Sequence, residues 1–280
     1  SETESYTRNY ADFNVLQELD NNYMQMDVVD AKFQGELNWT IIPGLNFNSL
    51  AFYRYLSFSE QHFIKDESNQ AGADREMTDA VIRDKHPYLY KDPDFINALP
   101  VSILPNGGIY EKREYKTRSY SIRNSLTWNK VFNDIHILHL YGGMELTAVK
   151  RTNDWSRGWG MQYSEGEIAF YNYLAFKKSV ENNTDYYTLS NTNRKSAAFF
   201  AMANYSYKGK YNLNGTIRYE GANRLGKTTS SRWLPTWNVG AAWNVHEEEF
   251  FESLKPALSH LNIKASYSLT ADAGPDYISN

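Results

Sequence analysis

Residues Gly221 to Thr228 match the phosphate-binding pattern G-x-x-x-x-G-K-[ST] at every fixed position. This pattern binds nucleotide phosphates when a buried parallel strand precedes it and a helix follows, because the helix then points its first amides at the phosphate. Here the preceding residues alternate between polar and apolar types, and Pro235 follows too closely for a helix of any length. We interpret the match as a loop between strands, with nucleotide hydrolysis as a weaker alternative.

The remaining residues with reactive side chains form no recognisable catalytic or metal-binding pattern. His136 and His139 are an odd number of positions apart on a predicted strand, so they point to opposite faces and do not ligate one ion together. The acidic run Glu247–Glu249 precedes apolar residues, which is typical of a helix start. The chain has no Cys and a net charge of −4. The sequence therefore predicts no enzyme, no metal or other cofactor and no nucleic-acid partner.

Aromatic residues in a long polar segment, about 151–195, are the best candidates for binding. Trp155, Trp159 and Tyr163 occur there among Asn, Arg and Gly, where no core requires them. Aromatic rings in exposed loops often contact sugar rings or a partner protein. The hypothesis is that these three residues contact a substrate or partner from a loop. The alternative is that they pack the loop onto itself.

Eight stretches of the chain alternate apolar and polar residues, which predicts strands with one apolar and one polar face. A first hairpin, about 31–42 and 46–58, turns at Pro43-Gly44, and its pairing predicts Trp39 beside Ser49 and Gly35 beside Tyr53. The third hairpin, about 197–207 and 211–220, matches on both faces. Its predicted pairs are Phe199 with Tyr219, Ala201 with Ile217, Ala203 with Gly215, Tyr205 with Leu213, Tyr207 with Tyr211, Met202 with Thr216, Asn204 with Asn214 and Ser206 with Asn212.

The connections between these strands alternate between short and long. They are short at 43–45, 130–134 and 208–210 and long at 61–111 and 151–195, and short helices are predicted near 74–83 and 247–254. In an up-and-down meander this places tight turns at one rim and long loops at the other, as in outer-membrane β-barrels. The predicted fold is thus all-β, an antiparallel up-and-down transmembrane β-barrel segment of about eight strands. Candidates for its membrane girdle are Tyr205, Tyr207, Tyr211, Tyr219 and Trp243.

The later part of the chain resembles a known family. The segments 218–227, 232–243, 247–250 and 261–270 are similar to the late-barrel signature of SusC/RagA-type TonB-linked outer-membrane transporters. The resemblance implies a barrel of about 22 strands with a plug. It also implies import of oligosaccharides or peptides, energy from the TonB complex through the plug, and a SusD-like surface lipoprotein as a lid. By this resemblance, Gly221–Thr228 is an extracellular loop.

The sequence shows no plug, TonB box or signal peptide, so we expect residues 1–280 to be an internal piece of the barrel domain of a TonB-dependent receptor. The predicted function is that of a barrel-wall segment of a nutrient importer in the bacterial outer membrane, in contact with the lipid bilayer. The alternative is a soluble or surface-attached β-sandwich that binds glycans through its aromatic loops. A sandwich would bury its apolar faces between two sheets. The sequence does not identify the nutrient.

Overall fold

The protein is described by a computed structural model that covers residues 6–8, 11–75, 89–223 and 232–271. Most of this length is strand, as the period-two alternation predicts. The strands are β1 (Tyr6–Arg8), β2 (Ala11–Phe13), β3 (Asn22–Ile42), β4 (Leu45–Ile64), β5 (Leu89–Tyr90), β6 (Val101–Ser102), β7 (Gly108–Phe132), β8 (His136–Gln162), β9 (Ile168–Ala169), β10 (Tyr187–Tyr207), β11 (Tyr211–Ala222), β12 (Trp233–Asn244) and β13 (Asn262–Leu269). The helices are α1 (Val15–Asn21), α2 (Asn69–Arg75), α3 (Tyr173–Glu181) and two short 3-10 helices, Val245–Glu247 and Glu249–Leu254.

Eight long strands form one sheet in the order β13-β12-β11-β10-β8-β7-β4-β3, and β9 pairs with β8. Each long strand neighbours the long strand before and after it in the chain, which is an up-and-down meander. The pairings that join β10, β11, β12 and β13 are all antiparallel. The antiparallel up-and-down order of the predicted fold class is confirmed. In the part of the chain that the structure describes, β3 and β13 each have a neighbour on one side only.

The third hairpin has the predicted register at every position. Phe199 lies opposite Tyr219, Tyr205 opposite Leu213 and Tyr207 opposite Tyr211, and Asn204 lies opposite Asn214 on the other face. A register error of one residue would exchange the two faces, so the agreement also confirms which side chains share a face.

The first hairpin is displaced by two residues from the predicted pairing. The side chain of Asn48 donates a hydrogen bond to Asn38, 2.5 Å away, and the ring of Tyr53 stacks on Phe33 instead of lying beside Gly35. A displacement of two leaves every side chain on its predicted face, because the side-chain period of a strand is two.

The chain divides into two compact units. The first, which we name the packed unit, comprises Ser1–Asp30, Leu56–Thr117 and Arg151–Asn191. It holds an apolar core of Ile64, Ala71, Tyr90, Ile103, Leu104, Ile109, Trp159 and Ala175. Arg75, the last residue of α2, donates hydrogen bonds from its guanidinium to the carbonyl oxygens of Leu104 and Gly107. These bonds join α2 to the loop before β7.

The second unit, which we name the sheet unit, comprises Ala31–Tyr55, Arg118–Lys150 and Thr192–Asn280. Its buried apolar residues, among those that the structure describes, are Ala198, Val245 and Phe251. The rest of its apolar side chains are at least partly exposed. The sheet unit therefore has the sheet but little of the core that usually accompanies one.

The long strands extend well beyond their predicted ends. The segment predicted as a long loop after residue 151 continues β8 as far as Gln162, and β7 begins at Gly108, inside the long connection predicted at 61–111. The helix predicted near 74–83 lies mostly outside the described residues, and its first two positions form the end of α2 (Asn69–Arg75). The short helix predicted at 247–254 is found as two 3-10 helices, Val245–Glu247 and Glu249–Leu254. Among the helices described, none is long and apolar enough to cross a bilayer, a finding that concerns helices alone.

Candidate functional site

The two faces of the sheet unit differ sharply in polarity. Leu213 and Ile217 lie on one face of β11, where their side chains are 55% and 52% exposed. Asn212, Asn214 and Thr216 occupy the other face of the same strand. We name these the apolar face and the polar face. Exposure of single apolar residues is ordinary in soluble proteins, but a continuous apolar face left open is not.

A row of stacked aromatic rings crosses the apolar face next to the tight turns. Tyr207, Tyr211 and Trp243 lie on neighbouring strands, and successive ring centres are 6.4 and 6.3 Å apart. The imidazole of His136 extends the row, 5.1 Å from the ring of Tyr207, and its Nδ1 lies 2.6 Å from the hydroxyl of Tyr205. We name this the turn row.

A second group of rings crosses the same face farther along the strands. Tyr219 stacks on Trp233 with ring centres 4.8 Å apart, and Phe199 lies 6.2 Å from the same indole. Tyr53 and Tyr120 form a further pair with ring centres 5.0 Å apart. We name these rings the far row.

The two rows are eight residues apart on β10 and β11 and ten residues apart on β12, from Trp233 to Trp243. The strand β10 runs from Phe199 in the far row to Tyr207 in the turn row, and β11 runs from Tyr211 back to Tyr219. Eight residues of strand measure about 26 Å. Between the rows, the apolar face carries apolar residues and Gly. On β11 these are Leu213, Gly215 and Ile217, and on β12 they include Val239 and Ala241.

The polar face carries charge and hydrogen-bonding groups at the same level of the sheet. The guanidinium of Arg123 donates two hydrogen bonds to one carboxylate oxygen of Glu145, at 2.9 and 2.5 Å. Ser121 and Thr147 are 3.3 Å apart, and Asn214 donates to Asn238. Such pairs need water or one another, so this face suits an aqueous environment.

Next to the turn row, Glu248 is held by three donors. Its carboxylate accepts hydrogen bonds from the Tyr211 hydroxyl at 2.7 Å, the Trp243 indole at 3.1 Å and the Lys210 ammonium at 2.9 Å. The hydrogen bond from Tyr211 is the main cause that lowers the pKa of Glu248 to about 2, followed by those from Lys210 and Trp243. This carboxylate joins the segment between the 3-10 helices to the Lys210 turn. The sequence pattern predicts Glu248 at a helix start. It does not predict the hydrogen bonds to the Lys210 turn, because no local pattern links Glu248 to Tyr211.

The tight turns are also joined to neighbouring strands and turns through their backbones. The amide of Asn129 donates to the carbonyl of Gly44 at 2.8 Å, and the amide of Lys208 donates to the carbonyl of Ile135 at 2.7 Å. The amide of Asn244 donates to the carbonyl of Lys210 at 2.8 Å. Gly44 has a φ of +85° and leaves no room for a Cβ beside the Asn129 carbonyl, so glycine is required there.

Two of the three predicted loop contacts lie elsewhere than expected. Trp155 and Trp159 are on β8, so their placement in a loop is wrong, and only Tyr163 lies in the turn that follows. Trp159 is 4% exposed and packs edge-on against Phe176 in the core of the packed unit. Tyr163 donates its hydroxyl to the Ile109 carbonyl at 2.9 Å. Burial raises the pKa of Tyr163. Packing, the alternative given above, thus accounts for Trp159 and Tyr163.

The phosphate-binding match lacks the setting that it needs. Gly221 lies near the end of an antiparallel strand and directly beside the Trp233 ring, which leaves no space for a side chain there. Residues 224–228 of the match lie outside the described residues. In the described ranges no group of three or more His, Cys, Asp or Glu side chains is placed to hold a metal ion.

The meander and its two unlike faces define a class of protein, the up-and-down β-sheets from which the walls of transmembrane β-barrels are built. Comparisons with known proteins agree. No family model matches the chain. The TonB-dependent receptor P39 of Formosa agariphila is 27% identical over 173 residues, covering 60% of this chain and 15% of the receptor. The receptor P26 of the same organism is 23% identical over 175 residues, covering 62% and 17%.

Two solved structures share the fold. The structure of the RagAB peptide transporter matches this chain with a TM-score of 0.60, and that of the RagAB peptide importer in the closed-closed state matches it with a TM-score of 0.62. Each match covers 92% of this chain and 24% of the RagAB chain. Both are 13% identical to this chain, so they establish the fold alone. The chain spans less than a fifth of the length of the curated relatives that it matches. The resemblance to TonB-linked outer-membrane transporters is confirmed.

Proposed function

We propose that this chain is a section of the barrel wall of a nutrient importer in the bacterial outer membrane. The observation that supports this most is the apolar face between the turn row and the far row. From one row to the other, both ends included, β10 and β11 have nine residues and β12 has eleven, which is the length that a tilted strand needs to cross a bilayer, about 9–11 residues. Outer-membrane barrels have an apolar band about 25 Å tall with an aromatic girdle at each interface and a polar interior. In this proposal Tyr205, Tyr207, Tyr211, Tyr219 and Trp243 contact the bilayer interfaces, and the polar face lines the lumen.

A soluble β-sandwich is less consistent with the structure. It would need a second sheet over Leu213 and Ile217, yet both side chains remain about half exposed among the described residues. The relatives are named as receptors and transporters, and this fits a transport role better than a catalytic one.

The proposal extends to the whole protein through its relatives. We infer that residues 1–280 belong to the barrel domain of a TonB-dependent receptor, which imports an oligosaccharide or a peptide. The inferred partners are the TonB complex, acting through a plug, and a SusD-like surface lipoprotein. The names of the curated relatives support a TonB-dependent receptor, and RagAB, which shares the fold, is a peptide transporter.

Of the predicted contact residues, Trp155 is the one that we propose as a direct contact for substrate or lid. It is half-buried, and the guanidinium of Arg157 lies 5.7 Å from its ring. Arg157 is itself held by Glu111, at 2.7 Å from its Nε. In this proposal Trp159 and Tyr163 support the surface from beneath.

Cysteine labelling tests the proposed orientation of the faces. Single Cys residues are placed at Leu213 and at its neighbour Asn212 in the whole protein, and outer membranes are treated with a membrane-impermeant maleimide. Since this chain has no Cys, it contributes no background reaction. We expect N212C to react through the aqueous lumen and L213C to be protected by lipid until detergent is added. Equal reaction of the two variants before detergent would contradict the proposal.

A further inference from the structure

An apolar groove crosses the apolar face at the level of the far row. It has a volume of about 670 Å³. Its walls are side chains of the apolar face from β7, β8 and β12, and its floor is made of small residues. The wall residues are Tyr120, Ile122, Leu146 and Trp233, and the small residues are Ala148, Ala197 and Gly221. Gly221 matters here because the Trp233 ring occupies the space of a side chain.

The groove has cations at one end. Lys195 and Arg232 both line it. Lys195 is two residues beyond Ala197 on β10, and Arg232 immediately precedes Trp233. A third cation, Arg118, lies two residues beyond Tyr120 on β7 and places its guanidinium 5.9 Å from the Tyr55 ring. On β7 and β10 the positively charged residues thus lie two residues beyond the apolar residues that line the groove.

The backbone around Lys195 is fixed in place. The amide of Asn223 donates to the carbonyl of Lys195, and the amide of Lys195 donates to the Asn223 side-chain oxygen, both at 3.0 Å. The Asn223 side chain also donates to the carbonyl of Asn193 at 2.7 Å. These three bonds hold β10 and β11 together at this point, so the backbone that carries Lys195 is fixed beside the groove.

We propose that this groove binds one acyl chain of a lipid whose phosphate head group contacts Lys195 and Arg232. An apolar trough takes a hydrocarbon chain, and two cations at its end take an anionic oxygen cluster through charge-assisted hydrogen bonds. A peptide segment would leave polar backbone groups unpaired against the apolar walls, so a lipid fits better. The inference rests on the proposed membrane location of the apolar face.

Lipid retention measured by native mass spectrometry tests the inference. The whole protein is delipidated in detergent and titrated with diphosphoryl lipid A or with the same lipid lacking phosphate. The wild type should retain the phosphorylated form more tightly. The double variant K195Q/R232Q should lose about tenfold in affinity for the phosphorylated form, as expected for the loss of charge-assisted hydrogen bonds, and none for the other form. The variant A197F, which fills the groove, should weaken the binding of both.

Two control variants match these changes. K264Q removes a cation of β13 from the polar face, and A265F adds the same ring to the apolar face away from the groove, since Ala265 lies opposite Ala241 and Lys264 opposite Ala242. Both should retain lipid like the wild type. The inference would be overturned if the wild type bound both lipids with equal affinity or if the control variants lost as much lipid affinity as the groove variants. A dimer of this protein whose interface covers the groove and excludes the lipid would also overturn it. Failure of the membrane location would appear instead as reactive L213C in intact membranes, independently of this titration.

Discussion

The packed unit and the sheet unit use similar residues but bury them differently. The packed unit encloses Ile64, Ile103, Leu104 and Trp159 in a core with less than a tenth of each side chain exposed. The sheet unit leaves Leu213 and Ile217 about half exposed. The packed unit therefore has a core of its own, whereas the apolar face of the sheet unit is left open, and its contact with a bilayer is what we propose.

The largest expected effect comes from a substitution that disrupts the core of the packed unit. Trp159→Ala removes a buried indole and should cost about 3–5 kcal/mol of local stability, because a large cavity remains. Hydrogen exchange of the amides in 103–109, measured in the whole protein, should accelerate accordingly. Trp155→Ala is the matched control, since Trp155 is only half-buried and lies outside the core cluster. Equal acceleration in both variants would show that the cluster is not the stabilising feature.

The next effect separates the two faces of the sheet unit. Ile217→Lys places a charge on the apolar face between the rows and should cost about 2–4 kcal/mol in a bilayer, whereas Thr216→Lys should cost far less because it faces water. Urea unfolding in phosphatidylcholine bilayers measures both. A larger penalty at Thr216 would reverse the assignment of the faces.

A smaller effect concerns the tight turns of the sheet unit. Gly209 has a φ of +69° and open space where a Cβ would lie, so Gly209→Ala should cost about 1 kcal/mol, from the left-handed backbone alone. Gly44→Ala should cost more, because its Cβ would also meet the Asn129 carbonyl. The same urea experiment compares the two variants, and a reversed order would argue against the contact between Gly44 and Asn129.

The smallest effect is a pH dependence at Glu248. Its pKa is lowered in the folded protein from 4.5 to about 2, so its ionised form stabilises the fold above pH 4.5. That contribution declines as the pH falls from 4.5 and is lost below about 2. A spin label at S253C should therefore become more mobile across this interval. In the Glu248→Gln variant the same spin label should be mobile already at about pH 6, where the wild-type carboxylate is ionised. In the Glu249→Gln variant its mobility should follow that of the wild type. A label whose mobility ignores pH would contradict the role of Glu248.

Much of the sheet unit could be predicted from the sequence. The register of the third hairpin follows from alternation on both faces and from the Lys208-Gly209-Lys210 turn, because a half-buried or lipid-facing strand shows its period directly. The first hairpin was predicted two residues out of register, since a shift of two preserves the pattern of faces and only side-chain contacts such as Asn38 with Asn48 distinguish the two.

The packed unit was harder to predict, for a physical reason. Residues 151–158 of β8 are mostly polar or charged, so they lack the apolar contrast that reveals a strand. Backbone pairing holds the strand, as in the hydrogen bond from the Arg157 amide to the Tyr186 carbonyl at 2.8 Å. Trp159 was therefore predicted in a loop, whereas it anchors a core assembled from segments far apart in the sequence, including Ile64 and Ala175. Contacts between such distant segments leave no local pattern.

The backbone bonds between neighbouring turns have a consequence for how this protein can evolve. Because Asn129 and Lys208 contribute main-chain amides to these bonds, their side chains are not needed for the linkage, whereas the Asn244 side chain adds a hydrogen bond to the Gly209 carbonyl at 2.6 Å. Lineages can therefore alter charge and size at the Asn129 and Lys208 positions while the architecture persists. The exception is Gly44, because any other side chain there would collide with the Asn129 carbonyl. We therefore expect this position to vary least among relatives.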